Sequence, residues 1–118
     1  MREPGLLSVV APMHDEEDTV GAFHARTVAA LEGLEFELLL VDDGSRDGTG
    51  EQLRALAAVD ERIKVIALSR NFGHQAALSA GLEHARGDVV VMIDGDLQDP
   101  PELIGEMLAA WRRGADVV

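Results

Sequence analysis

The chain has 118 residues, 47% of them hydrophobic and 27% charged, which suits one folded domain with a single core. Its 22 acidic and 10 basic residues give a formal charge of −12, which repels nucleic-acid backbones and anionic lipid surfaces. The absence of cysteine excludes disulfides, thiolate metal sites and cysteine nucleophiles. An anionic ligand would therefore require a metal ion or a local cluster of positive charge.

Four short runs of mostly apolar, β-branched residues predict strands that are buried on both faces. In chain order the runs are residues 7–11, 37–41, 63–68 and 88–93. The first of these apolar runs is too short for a membrane span or for the core of a secretory signal.

Between the strands, apolar residues recur every three or four positions, which predicts helices with one buried stripe each. The stripes are Val20, Phe23, Val28 and Leu31, then Leu53, Leu56 and Ala57, then Leu78, Leu82 and Ala85. A fourth helix is expected to begin near Pro101, and left-handed caps are expected at Gly33, Gly87 and Gly114. The alternation predicts an α/β fold with a parallel sheet and right-handed crossovers. Residues 115–118 resemble the start of a fifth strand, so we expect the chain to be part of a longer protein.

Polar loops follow all four predicted strands, at the sheet edge where open parallel sheets bind ligands. They comprise residues 12–18, 42–49, 69–75 and 94–99. If the fourth strand pairs with the first, as in nucleotide-binding half-sheets, the first and last loops flank the point where the strand order reverses.

The strongest candidate site is Asp94 and Asp96, which leave a buried strand with one glycine between them. Two such carboxylates can hold a hard divalent cation, and Gln98 adds a carbonyl oxygen two residues later. Such an ion could bridge a diphosphate. The alternative is a solvated turn in which these acids cap the next helix.

Asp42 and Asp43 follow another buried strand. One of them could accept hydrogen bonds from a base or a ribose while the other holds the turn. The alternative is a turn built by residues 43–45, with Asp47 or Thr49 capping the second helix.

The acidic run at residues 15–18 is interpreted as charge in the first turn of a helix, where it complements the helix dipole. A ligand role for Glu16 would need further support. Arg70 and His74 are among the few candidate cations at this edge, although both residue types are often ordinary solvated groups.

Several nucleotide and hydrolase motifs are missing. The segment 48–53 matches a dinucleotide-binding fingerprint only in part, because Leu53 stands where the third glycine belongs. The only lysine is Lys64, so there is no phosphate-binding loop of the NTPase type. A Gly-x-Ser-x-Gly nucleophile elbow is also absent.

Taken together, the loops resemble the N-terminal part of a family 2 glycosyltransferase, whose nucleotide-sugar domain has the GT-A arrangement. Residues 12–17, PMHDEE, are similar to the family's Pro-x-Tyr-Asn-Glu-Glu opening, with His14 and Asp15 as departures. Residues 41–49, VDDGSRDGT, match the second motif almost throughout, and Asp94-Gly95-Asp96 matches the metal-binding Asp-x-Asp. The segments 68–77 and 94–101 look most like the polyprenyl-phosphate branch, which includes dolichyl-phosphate mannose synthase.

The resemblance implies an inverting glycosyltransferase whose chain, residues 1–118, is the nucleotide-sugar-binding part of a longer domain. It implies that Pro12, Glu16 and Asp43 line the nucleoside pocket, with Arg70 nearby, and that Asp94, Asp96 and Gln98 surround Mg²⁺ or Mn²⁺ and the diphosphate. The implied donor is a UDP- or GDP-linked sugar and the implied acceptor a polyprenyl phosphate. Residues that bind the acceptor are expected beyond Val118, and the full protein at the cytoplasmic face of a membrane.

Three competing interpretations remain. A signalling receiver domain has a similar length and paired aspartates, but it needs an aspartate after the third strand, where this chain has Ser69-Arg70, and a lysine after the fifth. A nucleotidyltransferase would begin with a glycine-rich basic loop, whereas this loop is acidic. A module that binds nucleotide sugars without turnover stays open.

Overall fold

A computed structural model describes residues 5–96 and 100–113. Its strands are β1 (Leu6–Met13), β2 (Glu35–Asp42), β3 (Ile63–Ala67) and β4 (Val89–Met92), and its helices are α1 (Val20–Ala30), α2 (Thr49–Val59), α3 (His74–His84) and α4 (Leu103–Arg112). All strand pairs are parallel, and the order in the sheet is β3-β2-β1-β4. The predicted α/β fold with a parallel sheet is confirmed.

The position of β4 distinguishes the strand order of nucleotide-binding half-sheets from the strand order of signalling receiver domains. Val9 of β1 pairs with Leu38 of β2 on one side and with Val91 of β4 on the other, so the order reverses beside β1. In the flavodoxin-like order of receiver domains the third strand takes this place. The topology therefore contradicts the receiver alternative and places the loops after β1 and β4 at the switch point.

The two faces of the sheet are covered unequally. Helices α1, α2 and α4 pack on one face through buried residues such as Phe23, Leu53 and Ile104, whereas α3 covers the other face over β1 and β2. The prediction of burial on both faces is correct for β1 and β2. It is wrong for the outer strands: Met92 of β4 is 48% exposed, because no described helix covers that part of the second face.

Helix α3 lies closer to the sheet than its predicted stripe implies. Ala77 and Gly81 are its buried residues, while Leu82 is exposed. A Cβ atom on Gly81 would overlap the side chain of Val10. The helix backbone therefore rests directly on β1. Of the predicted stripe, Leu78 and Ala85 pack against this side of the core, whereas Leu82 does not.

The predicted helix ends agree in part with the structure. Gly33 has the expected left-handed conformation, with φ of 87°. Gly87 does not have a left-handed conformation. Glycine suits this position for another reason, because a Cβ atom there would lie only 2.6 Å from the Ser8 hydroxyl oxygen. Helix α4 begins two residues after Pro101, which lies in the preceding turn. Gly114 and the expected fifth strand at 115–118 lie outside the described residues.

None of the helices in the described ranges is long and apolar enough to cross a bilayer.

A buried carboxylate joins three strands at the edge of the sheet opposite the polar loops. Glu37 of β2 is 3% exposed and accepts hydrogen bonds from the Ser8 hydroxyl at 2.5 Å, the Lys64 ammonium at 2.7 Å and the Arg86 N–H at 2.7 Å. Burial by itself raises the pKa of Glu37, but these three donors together outweigh it and leave the pKa below its ordinary value of 4.5. The ionised form is therefore the one that stabilises the fold.

Replacing Glu37 should lower stability in a pH-dependent way. A depressed pKa in the folded state contributes stability above the ordinary value of 4.5, and this is lost as pH falls through the folded pKa. We expect Glu37→Gln to lower the free energy of unfolding by about 1–3 kcal/mol at neutral pH. The deficit should shrink at acidic pH, below the folded pKa, where the wild-type carboxyl also becomes protonated.

Urea unfolding of both proteins at the two pH values measures this difference. Glu35→Gln, at an exposed position of the same strand, is the matched control. A deficit of equal size at both pH values would contradict the role of the charge.

Candidate functional site

The loops after all four strands meet in one cleft of about 320 Å³ at the carboxyl edge of the sheet. The residues that line it are Pro12, Met13, His14, Glu16, Asp43, Asn71, Gly73, His74, Asp94, Gly95 and Asp96. Five of the site residues predicted from the sequence are thus brought together: Pro12, Glu16, Asp43, Asp94 and Asp96. Their individual roles remain predictions, and Gln98 lies outside the described residues.

The cleft is lined by carboxylates and lacks the strong cations that bind phosphates. Four acidic side chains, those of Glu16, Asp43, Asp94 and Asp96, contribute to the wall, and no arginine or lysine is among the described lining residues. A diphosphate placed here would meet like charge unless a metal ion came with it.

The oxygen donors at the end of β4 fit a hard divalent cation. Asp94 and Asp96 both line the cleft, and the Asp94 side chain is 42% exposed. Within residues 5–96 and 100–113, no cluster of three or more histidine or acidic residues is arranged to hold a metal by itself. Mg²⁺ commonly binds through one or two carboxylates together with substrate phosphates, and two aspartates facing a ligand cleft suit that mode.

The acidic run after β1 binds the neighbouring loop and does not form a first helical turn. Helix α1 has no acidic residue in its first turn, because it begins only at Val20. The Asp15 carboxylate accepts the Arg46 N–H at 2.8 Å, and the Glu17 carboxylate accepts the Gly48 N–H at 3.0 Å. The default interpretation of this run was therefore wrong, since these acids satisfy backbone donors of the β2–α2 loop.

Donors in the β1–α1 loop complete this reciprocal pairing. The Asp15 N–H donates to the Ser45 hydroxyl, and the Glu16 N–H donates to the Thr49 hydroxyl at 2.8 Å. Asp15 has a positive φ of 53°, which asparagine and aspartate tolerate better than most residues. Asp47 accepts the first N–H of α2, that of Thr49, and the hydroxyl of Thr49 lowers the pKa of Asp47.

The two aspartates after β2 have separate tasks. Asp42 holds the turn, because its carboxylate accepts the Ser45 N–H at 3.0 Å. Asp43 is 4% exposed and lines the cleft, yet both of its oxygens accept backbone N–H groups, from Phe72 at 2.8 Å and from Gly73 at 3.1 Å. Asp42 is thus the aspartate that holds the turn, and the hydrogen bond of the other, Asp43, to a base or a ribose stays a prediction.

His14 forms part of the wall between the β1–α1 and β3–α3 loops. Its Nδ1 lies 2.8 Å from the carbonyl oxygen of Asp43, and its Nε2 lies 3.1 Å from the amide nitrogen of Asn71. A carbonyl can only accept, so Nδ1 carries a proton and donates it to Asp43, while Nε2 also lies 3.3 Å from a carboxylate oxygen of Asp15. The edges of the ring are thereby engaged by the protein.

Arg70 lies beside the cleft and not in its wall. Its guanidinium is 4.5 Å from the centroid of the exposed Phe72 ring, and it lines a neighbouring cavity of about 410 Å³ together with Arg46 and His14. The structure thus brings Arg70 near the predicted nucleoside pocket without placing it among the lining residues.

Sequence reasoning did not anticipate Asn71 and Gly73 as lining residues. The signal for Gly73 was its place between a strand and a helix, where φ of 102° favours glycine. The contact of Asn71 with His14 joins residues 57 positions apart in the chain, and no local pattern reveals it.

Gly44 is needed where the β2–α2 and β3–α3 loops touch. It has a φ of 68°, and a Cβ atom there would overlap the backbone of Arg70 and Asn71. We expect Gly44→Ala to lower the free energy of unfolding by about 2–4 kcal/mol through strain and overlap. Gly21→Ala, in helix α1 with open space around it, should instead raise it by up to about 1 kcal/mol. Chemical denaturation compares the two, and an equally stable Gly44→Ala protein would show that the loops can separate freely.

Comparison with known sequences identifies relatives that are much longer than this chain. Residues 8–118 match the family described as Glycosyl transferase family 2. An uncharacterized glycosyltransferase of Synechocystis is 47% identical over 114 residues, which cover 95% of this chain and 36% of that protein. The undecaprenyl-phosphate 4-deoxy-4-formamido-L-arabinose transferase of Aeromonas hydrophila is 44% identical over 116 residues, which cover 96% of this chain and 36% of that protein.

Solved structures of glycosyltransferases share the fold. The mannosyltransferase PcManGT from Pyrobaculum calidifontis, in complex with GDP-Man and Mn²⁺, has a TM-score of 0.75 at 21% identity, with 91% of this chain and 32% of that chain covered. TarS from S. aureus, in complex with UDP-GlcNAc, has a TM-score of 0.73 at 26% identity, with 91% and 31% covered. The chain belongs to glycosyl transferase family 2, and its parallel α/β fold is shared with part of these GT-A glycosyltransferases.

Proposed function

We propose that this chain binds the donor substrate of an inverting glycosyltransferase, a nucleoside-diphosphate sugar held with Mg²⁺ or Mn²⁺. The observation that carries the proposal is the cleft itself, in which the loops that carry the four family motifs meet at one sheet edge. Proteins with this fold bind such ligands: PcManGT was solved with GDP-Man and Mn²⁺, and TarS with UDP-GlcNAc.

In this proposal Pro12, Glu16 and Asp43 line the nucleoside end of the cleft, with Arg70 beside it. Asp94 and Asp96, together with Gln98, hold the metal ion at the diphosphate end. The ion supplies Lewis-acid neutralisation of the charge that develops on the leaving diphosphate. Its positive charge also offsets the four carboxylates that line the cleft.

The proposed acceptor is a polyprenyl phosphate, because the Aeromonas relative is named for undecaprenyl phosphate and an Escherichia coli relative for bactoprenol. A phosphate oxygen of the acceptor attacks the anomeric carbon from the face opposite the diphosphate. The bond to the diphosphate oxygen breaks as the new bond forms, so the configuration inverts and a nucleoside diphosphate leaves. A phosphate acceptor is already ionised at neutral pH and needs no strong general base.

The acceptor-binding residues are proposed to come from the part of the full-length protein that corresponds to the remaining length of the relatives. Since a polyprenyl phosphate resides in a membrane, the full protein is proposed to act at the cytoplasmic face of that membrane.

Nucleotide binding should depend on the metal and on the acids after β4. We expect UDP or GDP to bind in the presence of Mn²⁺ or Mg²⁺ and to lose most of its affinity in excess chelator, because no arginine or lysine is among the described residues that line the cleft. Asp96→Asn should weaken metal-dependent binding by at least about 10-fold, while Asp18→Asn, which removes the same charge from an exposed position outside the cleft, should not. Isothermal titration calorimetry measures both. Equal affinity with and without metal would contradict the metal assignment.

Binding and turnover should separate in this chain. A transferase must hold donor and acceptor within attacking distance, so we expect these 118 residues to bind a nucleotide sugar and to transfer none of it. The measurement uses a radiolabelled nucleotide sugar, polyprenyl phosphate and metal, with either this chain or the full-length protein. Product formed by the chain at the full-length rate would show that the acceptor site lies within these residues. Binding without product from either protein would favour a binding module.

A further inference from the structure

The Asp43 carboxylate accepts backbone N–H groups on both of its oxygens. Oδ1 accepts the N–H of Phe72 and Oδ2 accepts the N–H of Gly73. Both donors belong to the loop between β3 and α3, 29 and 30 residues further along the chain. A buried carboxylate with two charge-assisted hydrogen bonds fixes this loop firmly against β2.

The fixed loop determines where α3 begins. The Gly73 N–H is shared between Asp43 and the side-chain oxygen of Asn71, at 3.1 and 2.9 Å. Gly73 is the N-cap of α3, and its φ of 102° turns the chain into the helix. The next residue, His74, is therefore the first of the helix and lies in the wall of the cleft.

His74 reaches across the cleft to the end of β4. Its Nε2 lies 3.5 Å from Oδ1 of Asp94, although the two residues belong to different loops. Histidine contacts to a metal-binding carboxylate are typical of the outer shell that orients ligands. The contact leaves the second oxygen of Asp94 for an ion.

We propose that His74 is a positioning residue for Asp94, and that Asp43 keeps His74 in place through the β3–α3 loop. The inference rests on the proposed function, since Asp94 matters through the metal ion it is proposed to bind. It gives Asp43 an action at the metal end of the cleft in addition to its proposed contact with the nucleoside. A shift of the Asp43 carboxylate at the nucleoside end would therefore move Phe72, Gly73 and His74, and through His74 it would alter the position of Asp94 at the metal end.

The test measures UDP affinity by calorimetry over a series of Mn²⁺ concentrations. The readout is the Mn²⁺ concentration that gives half-maximal affinity. We expect His74→Ala to raise this Mn²⁺ concentration by about 10- to 100-fold. The amide of His74→Gln can still donate to Asp94, so for this variant the concentration should stay within about 3-fold of the wild-type value. At saturating Mn²⁺ the UDP affinity of all three proteins should converge. His84→Ala, at the far end of the same helix, is the control, because its Nδ1 lies 2.9 Å from the Ala80 carbonyl and the residue does not line the cleft.

A second measurement requires neither metal nor nucleotide. Long-range ¹H–¹⁵N spectra of the metal-free chain at about pH 8 report which ring nitrogen of each histidine carries the proton. We expect His74 to carry it on Nε2, facing Asp94, and His14 to carry it on Nδ1. Asp43→Asn can accept only one of the two backbone N–H groups, so it should alter the His74 signal while circular dichroism shows the fold retained.

The outcomes separate the inference from the proposed function. No dependence of UDP binding on Mn²⁺ in the wild-type chain would overturn both. Metal-dependent binding that is unchanged in His74→Ala would overturn the inference alone, as would a His74→Gln protein as impaired as His74→Ala. A His74 signal that Asp43→Asn leaves unchanged would overturn the role of Asp43.

Discussion

Carboxylates that accept backbone N–H groups from neighbouring loops hold the carboxyl edge of this sheet together. Asp15 and Glu17 bind the β2–α2 loop, Asp42 closes the turn at its start, and Asp43 binds the β3–α3 loop. Loops have few other means of mutual attachment, because they carry little apolar surface. The positions of the cleft residues on the loops after β1, β2 and β3 depend on these hydrogen bonds.

These hydrogen bonds also account for part of the acidic composition of the chain. A chain with a formal charge of −12 is poorly suited to bind a diphosphate, and four carboxylates in the cleft wall add to the difficulty. Part of that charge is already neutralised locally, since the oxygens of Asp43 are bound to N–H groups. The carboxylates of Asp94 and Asp96 at the other end are proposed to bind a divalent ion, which would convert a repulsive cleft into an attractive one.

Much of the fold followed from periodicity, because β1 and β2 are mostly apolar and are buried on both faces. The exposure of Met92 and the burial of Gly81 did not follow, since both depend on which helix covers which part of the sheet. The predicted residues Pro12, Glu16, Asp43, Asp94 and Asp96 meet at the strand ends, where topology forces the loops together, and their roles remain predictions. What local sequence could not reveal was pairing between loops, such as the bond from Gly73 to Asp43, because donors and acceptors lie about 30 residues apart.

The most direct test of the account is a crystal structure of this chain with UDP and Mn²⁺. The account predicts Mn²⁺ at about 2.0–2.3 Å from carboxylate oxygens of Asp94 and Asp96 and from the diphosphate. The base should lie at the Asp43 end of the same cleft, with the Phe72 and Gly73 N–H groups still bound to that carboxylate. Mn²⁺ held by the acidic run at residues 15–18, or UDP bound outside the cleft, would contradict it.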